Sequence, residues 1–210
     1  MKAAPQRRRT PRGERSVDLV IRAAERIAGI EGFEALTIGK LAEETGLSKA
    51  GLFEHFGSRE ALQLATVAFA AQRFVEEVIL PSMQEPEPGG RLRLLCSSWI
   101  HYNERRFDAG GCSLCAGMYE YARREGTLHE QIRAAVDHLR IMLEQAILAA
   151  RDAGAIRSNI DPAQFAFELH AIVIHANALA QMHRDPKYFD RARTWCEAHL
   201  GSQAGLNPKP

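Results

Sequence analysis

Val17, Val20, Ile21, Ala24, Ile27 and Ala28 recur at spacings of three and four, the period of a helix with one buried face. This predicts a first helix over about 16–30, with Ser16 as its N-cap and Asp18 in its first turn, before Gly32 breaks the pattern. Thr37 opens a short second helix, "IGKLAEET", that stops at Gly46. Ser48 caps a third, "KAGLFEHF", and Ser58 a fourth that runs through "REALQLATVAFAAQRFVEEVIL" to Pro81. "MQEPEPGG" then reads as a loop. Further helical periods follow at about 90–107, 112–124, 127–153, 162–183 and 186–200, the last two opened by Asp161-Pro162 and Asp185-Pro186. No run alternates as a strand would, and no segment repeats. The expectation is an all-α fold of about nine helices. Its parts are a flexible basic arm (1–14), a small three-helix domain (15–62), a larger helical body (63–200) and a tail (201–210).

The totals change this picture little: 46% hydrophobic and 25% charged, with a formal net charge of +1, is ordinary globular composition. The distribution says more. Lys2, Arg7, Arg8, Arg9, Arg12 and Arg15 face only Glu14 within the first sixteen residues, a basic arm of the kind that tracks phosphates or a minor groove. No apolar signal core precedes it. Four cysteines in a chain without such a signal fit a reducing cytoplasm. The most apolar stretch, "AQFAFELHAIVIHANALAQM", is interrupted by Glu168, His170, His175 and Asn177, which argues against a membrane span.

Two short helices joined by a tight turn fit a helix-turn-helix. Ala42 permits close packing, Gly46 can take a positive φ, and Ile38, Leu41, Leu47 and Leu52 form an inner face. The outer face of the third helix then carries Lys49, Ala50, Phe53, Glu54 and His55, with small residues where the backbone would approach base edges.

On these residues, "TIGKLAEETGLSKAGLFEHFGSREAL" resembles the DNA-binding segment of the TetR/AcrR family of bacterial transcriptional regulators. The helix layout agrees over nearly the whole chain, and "GGCSL" resembles one branch of the family. The resemblance implies that Thr37 caps the second helix and touches a phosphate. It makes Ser48, Lys49, Ala50 and Gly51 the base-facing start of a recognition helix, and Phe53 and His55 contacts to backbone or base edge. Arg59 would grip phosphate beside the N-terminal amides of the fourth helix. The basic arm (Arg7, Arg8, Arg9, Arg12) joins the list. Phe53 stands where a tyrosine is common, Glu54 where an aromatic or basic residue is frequent, and Gly39 lacks a side chain that often reaches a base.

The resemblance also implies a two-fold dimer on a palindromic operator, through the last two helices. Phe165, Leu169, Ile172, Val173, Ala176 and Ala180, with Tyr188 and Trp195, are the expected dimer residues. An effector pocket in the body is expected among Trp99, Tyr102, Met118, Tyr119, Met142, His170 and Ile174, its ligand loosening the grip on DNA. The function so implied is a ligand-responsive, dimeric repressor of the bacterial cytoplasm, with no catalytic group, cofactor or membrane partner. "CSLC" lacks the second ligand pair a zinc site needs, but Cys112, following Gly110-Gly111 at a helix start, is placed for a lowered pKa. A thiol-based redox-responsive protein using Cys112 and Cys115 is therefore one alternative. A helical ligand carrier with weak DNA binding is another.

Overall fold

The computed structural model describes residues 11–200, with side chains from residue 18 onward. Arg7, Arg8 and Arg9 and the expected tail lie outside that range. Every regular element among the described residues is helical: α1 (Pro11–Glu31), α2 (Ile38–Thr45), α3 (Lys49–Phe56), α4 (Arg59–Phe74), α5 (Leu80–Met83), α6 (Pro88–Arg105), α7 (Ser113–Tyr121), α8 (Thr127–Asp152), α9 (Pro162–His183) and α10 (Lys187–Leu200). Short 3₁₀ turns at Phe33–Ala35 and Phe107–Ala109 join the larger pieces.

Most predicted starts hold because a hydroxyl or carboxylate takes an otherwise unpaired first-turn amide. Thr37 accepts from the Lys40 amide, Ser48 from Gly51 and Ser58 from Ala61. Asp161 accepts from Ala163, and Asp185 from Lys187. Other boundaries differ from expectation: α6 starts at Pro88, inside the stretch read as a loop, and α7 ends at Tyr121 rather than 124. α1 already begins by Pro11, so Ser16 lies inside the helix, and the stretch expected as a flexible arm is helical from Pro11 on, Arg12 included. The fourth helix also does not end at Pro81. It continues through a π turn at Val75–Ile79 into α5, with the Leu80 amide reaching back to the Val75 carbonyl. A widened turn just upstream lets a helix carry a proline that lacks a donor.

Two cores result. A small one gathers Val20, Ala24, Leu36, Leu41, Leu52 and Leu62 from α1 to α4, and makes the head. A larger one fills the body between α6, α8, α9 and α10, around Leu92, Trp99, Leu143, Ile147, Leu169 and Phe189. Leu47, expected inside the head, is exposed in the α2–α3 turn, and Ile38 is only partly buried. A third cluster joins head to body: Ala28 and Phe33 from the head with Val67 of α4, against Tyr121, Leu128 and Ile132 of α7 and α8.

Five of the eight expected dimer residues are turned inward by this packing. Phe165, Leu169, Val173, Ala176 and Ala180 are buried within the chain's own body core, and Ile172, Tyr188 and Trp195 pack against it. Trp195 stacks on Phe165, with ring centroids 5.6 Å apart. The opposite side of α9 is the open one: Phe167 is 67% and Met182 78% exposed, with Ala171 and His175 exposed between them. The helix is apolar around most of its circumference. The sequence pattern therefore revealed a stripe without revealing which of two stripes faces out.

Candidate nucleic-acid interface and the cavity behind it

Gly46 takes a left-handed conformation (φ 68°) that turns α2 into α3. This leaves Leu52 buried while Ser48, Lys49, Ala50, Gly51, Phe53, Glu54 and His55 all face outward. Phe53 is 59% exposed, so it is no core residue; Phe56 is half-buried against the head core, its ring edge-on to His55. A methyl placed on Gly39 would stand 3.7 Å from Lys49 Nζ and 3.8 Å from Thr37 Oγ1. Thr37, Gly39 and Lys49 therefore form one continuous patch, where the α2 cap meets the first turn of α3. Lys49 has no ion-pair partner among the described residues, which leaves its ammonium available to an external anion or base edge. The absent side chain at Gly39 opens space beside it.

Arg59 does not join that patch. Its guanidinium turns back to the 3₁₀ turn, pairing with Glu34 at 2.7 Å and donating to the Glu34 and Leu36 carbonyls. A carboxylate and two carbonyls lie in reach, so in this structure Arg59 is a link within the chain. The two residues should separate by experiment. Lys49→Ala is expected to weaken DNA binding by about 1–3 kcal/mol, in a sequence-dependent way, or to flatten the salt dependence by about one unit if it meets phosphate. Arg59→Ala is expected to leave the salt slope unchanged. Titrations at several salt concentrations read both, and the opposite pattern would restore Arg59 as the phosphate contact.

The turn that holds Arg59 is itself held by the body. Glu120, near the end of α7, accepts the amides of Phe33 at 2.7 Å and Glu34 at 2.9 Å, so a body carboxylate caps the 3₁₀ turn of the head. Glu34 receives the Tyr121 hydroxyl and pairs with Arg124 at 2.8 Å as well as with Arg59. The Tyr121 hydrogen bond, helped by Arg59 and Arg124, holds its carboxyl below the usual range. Gln63 of α4 donates to the Phe33 carbonyl. On the other side of α1, Glu25 is buried and receives Arg73 at 2.6 Å and Arg106 at 2.9 Å. These links join residues tens of positions apart, and the sequence carried no sign of them.

The N-terminal half of α7 faces elsewhere. Cys112, Leu114, Cys115 and Met118 border a cavity of about 30 Å³, closed by Phe74, Trp99, His170 and Ile174, and by Val136 and Leu139 of α8. Four expected pocket residues are thus brought together: Trp99, Met118, His170 and Ile174. Three are not. Tyr102 is buried between Phe74 and Arg106, whose guanidinium lies 4.2 Å from its ring centre. Tyr119 is 60% exposed on the outside of α7, and Met142 packs on the core away from the cavity. Burial pushes the His170 pKa down, favouring its neutral form. The Trp99 indole N–H has no hydrogen-bond partner among the described residues.

Known proteins share this architecture. Residues 20–66 match the model of the bacterial regulatory proteins of the tetR family, and residues 88–196 match that of the tetracyclin repressor-like C-terminal domain. The chain belongs to the TetR family. The nucleoid occlusion factor SlmA of Cronobacter sakazakii is 24% identical over 141 residues, which is 66% of this chain and 70% of that protein. A TetR transcriptional regulator from Chloroflexus aurantiacus superposes with a TM-score of 0.80 at 23% identity, over 91% of this chain and 96% of the other. AibR, solved with isovaleryl coenzyme A and operator DNA, gives 0.72 at 21% identity, over 89% and 99%. For a TetR-family chain, the head of α1–α3 is the DNA-binding part and the body is the C-terminal regulatory domain. Among the described residues of this one, no helix is long and apolar enough to cross a membrane.

Proposed function

We propose that this protein is a dimeric repressor of the bacterial cytoplasm, released from a palindromic operator by a small molecule that enters the body. The observation that carries this reading is the double attachment of α7. One end of this nine-residue helix lines the cavity, and its other end holds the head through Glu120 and Tyr121. An effector that displaces the cavity wall displaces the same rigid element that positions the 3₁₀ turn preceding α2. The coupling needed for release is then a shift between two positions of α7.

At about 30 Å³ the cavity is far smaller than the roughly 300–1,000 Å³ of a drug-sized ligand site. An effector of that size must move side chains, and Met118, unbranched and only partly buried at the cavity wall, is the readiest to yield. The lining selects an apolar molecule with a hydrogen-bond acceptor for the Trp99 indole. AibR offers a precedent for an acyl thioester together with operator DNA on this fold. Dimerisation is assigned to the exposed side of α9, through Phe167, Ala171, His175 and Met182. One recognition helix reads too few bases for a useful specificity, and two related by a dyad read a palindrome.

The test is a mobility-shift titration on the DNA upstream of the protein's own gene, against a length-matched unrelated duplex at stated salt. A preference of about a thousandfold or more supports the regulator. Equal, salt-sensitive binding to both duplexes means that this promoter carries no operator. Failure to bind any duplex in a genome-wide selection leaves the carrier as the better reading.

A further inference from the structure

Cys112 is the N-cap of α7, in extended conformation (φ −84°, ψ 116°), and Cys115 follows one turn later. Both are buried, and both border the same cavity. No amide closes a tight cap onto the Cys112 sulfur, yet the Cys115 thiol donates to it, and the amides of Cys115 and Leu114 and the Arg106 guanidinium lie close enough to favour its anion. These partners hold the Cys112 pKa below that of an ordinary thiol, whereas donation to Cys112 and burial push Cys115 well up. Arg106 is fixed in place by Glu25 on one side and the Tyr102 ring on the other.

The rest of the cavity supplies an independent reason to expect a small guest that accepts a hydrogen bond. Trp99 is 99% buried (1% exposed) and borders the cavity with its N–H unpartnered, and such a donor costs free energy until something accepts from it. The space suits about one or two water-sized molecules, so a peroxide fits without the side-chain movement that a larger effector needs.

We propose that Cys112 and Cys115 form a reactive dithiol oxidised by small hydroperoxides, with Cys112 attacking and Cys115 resolving. The Cys112 sulfur attacks one peroxide oxygen: an S–O bond forms, the O–O bond breaks, and the leaving hydroxide takes a proton to become water. The Cys115 sulfur then attacks the Cys112 sulfenic acid. An S–S bond forms, the S–O bond breaks, and the hydroxyl leaves with the Cys115 proton as a second water. Two thiols and one hydrogen peroxide thus give one disulfide and two waters. Residues three apart at a helix start are close enough in sequence and space for the bridge.

The remaining cysteines form an internal comparison. Cys96 and Cys196 also lie against each other, where α6 packs on α10, and Cys196 borders a surface groove between those helices. There too one thiol donates to the other, and the Cys196 pKa is held below that of an ordinary thiol by the Cys96 thiol. Burial and the Glu197 carboxylate oppose that anion, and Cys196, in the last turns of α10, lacks the helix-start amides and the guanidinium that stand by Cys112. Access favours Cys196, and the larger set of donors around the sulfur favours Cys112.

The experiment exposes the reduced full-length protein to limiting hydrogen peroxide, quenches it with iodoacetamide and maps the modified peptides over time. The expected result is a Cys112–Cys115 disulfide, with Cys112 consumed about tenfold faster than Cys96 or Cys196. Cys115→Ala should leave a Cys112 sulfenic acid that dimedone labels, and Cys112→Ala should leave Cys115 reduced over the same period. The wild-type map needs no variant to fold. A Cys96–Cys196 disulfide appearing first, or a Cys112 still reduced when other thiols have reacted, overturns the proposal. Because α7 also holds the head through Glu120, the disulfide should lower operator affinity reversibly. That consequence rests on the repressor reading. A disulfide that forms without altering DNA binding overturns the coupling and leaves the thiol chemistry standing.

Discussion

Replacing Phe33 by alanine is expected to destabilise the protein by about 3–5 kcal/mol, the usual loss for a fully buried phenylalanine whose cavity does not collapse. Phe33 has no exposed surface, and its ring is the head's contribution to the cluster shared with α7 and α8. The melting temperature should fall by roughly 10 °C for a chain of this size. The reciprocal change makes the argument specific to the joint. A methyl on Gly117 of α7 would meet Phe33 Cε2 at 2.8 Å and Ile132 Cδ1 at 3.2 Å, closer than real carbon atoms approach without a shift. Gly117→Ala alone should therefore cost about 1–3 kcal/mol by overpacking. In the Phe33→Ala background the same methyl enters vacated space and should cost little or even restore stability. Equal losses in both backgrounds, measured by denaturant unfolding, would mean that α7 and the head do not touch through this ring.

The reason to expect so large an effect from one ring is its place between the two cores. The head has its own core, and the body has its own. Between them stand Phe33 with Ala28 and Val67 on one side, Tyr121, Leu128 and Ile132 on the other, and the carboxylates Glu25, Glu34 and Glu120. Each carboxylate crosses from one module to the other, and each is held by at least two donors. A joint built from few, well-defined contacts can have two arrangements, which is what a regulated head requires.

How much of this was legible follows from the range of each interaction. Thr37, Ser48 and Ser58 were readable as caps because the evidence lies within three residues of each: a hydroxyl, then an amide, then a helical run. The outward face of α3 was readable for the same reason, and Phe53 could be weighed by period alone. Glu120 was not readable, because its partners stand 87 and 86 positions earlier in the chain. Arg59 was read as a phosphate ligand by position in the motif; its outcome depends on Glu34, which no motif assigns. Tyr102 and Tyr119 illustrate the limit for the cavity. Both lie on helices that reach it, and a rotation about the helix axis puts one into the core and the other into solvent. α9 posed the same problem in a harder form, since its two long faces are both apolar.

That second face carries the largest expected effect on function. Phe167→Glu combined with Met182→Glu places two carboxylates at positions 67% and 78% exposed in the single chain, where they disturb no internal contact. The monomer should fold, with unchanged helical content by circular dichroism. A two-fold contact applies each substitution twice, once from each partner, and buries four new charges in an apolar interface. Charges buried without partners are costly enough to break such an interface. On the proposed α9 interface, sedimentation should then show the variant as a monomer and the wild type as a dimer at the same concentration. Operator affinity should fall by about a hundredfold or more, because the second recognition helix no longer arrives at the high effective concentration that the dimer provides. Binding to an isolated half-site should be unchanged, since α3 is untouched. A double variant that still sediments as a dimer would move the interface to another face. A monomer that binds the full operator as tightly as the wild type would remove the dimer from the mechanism of recognition.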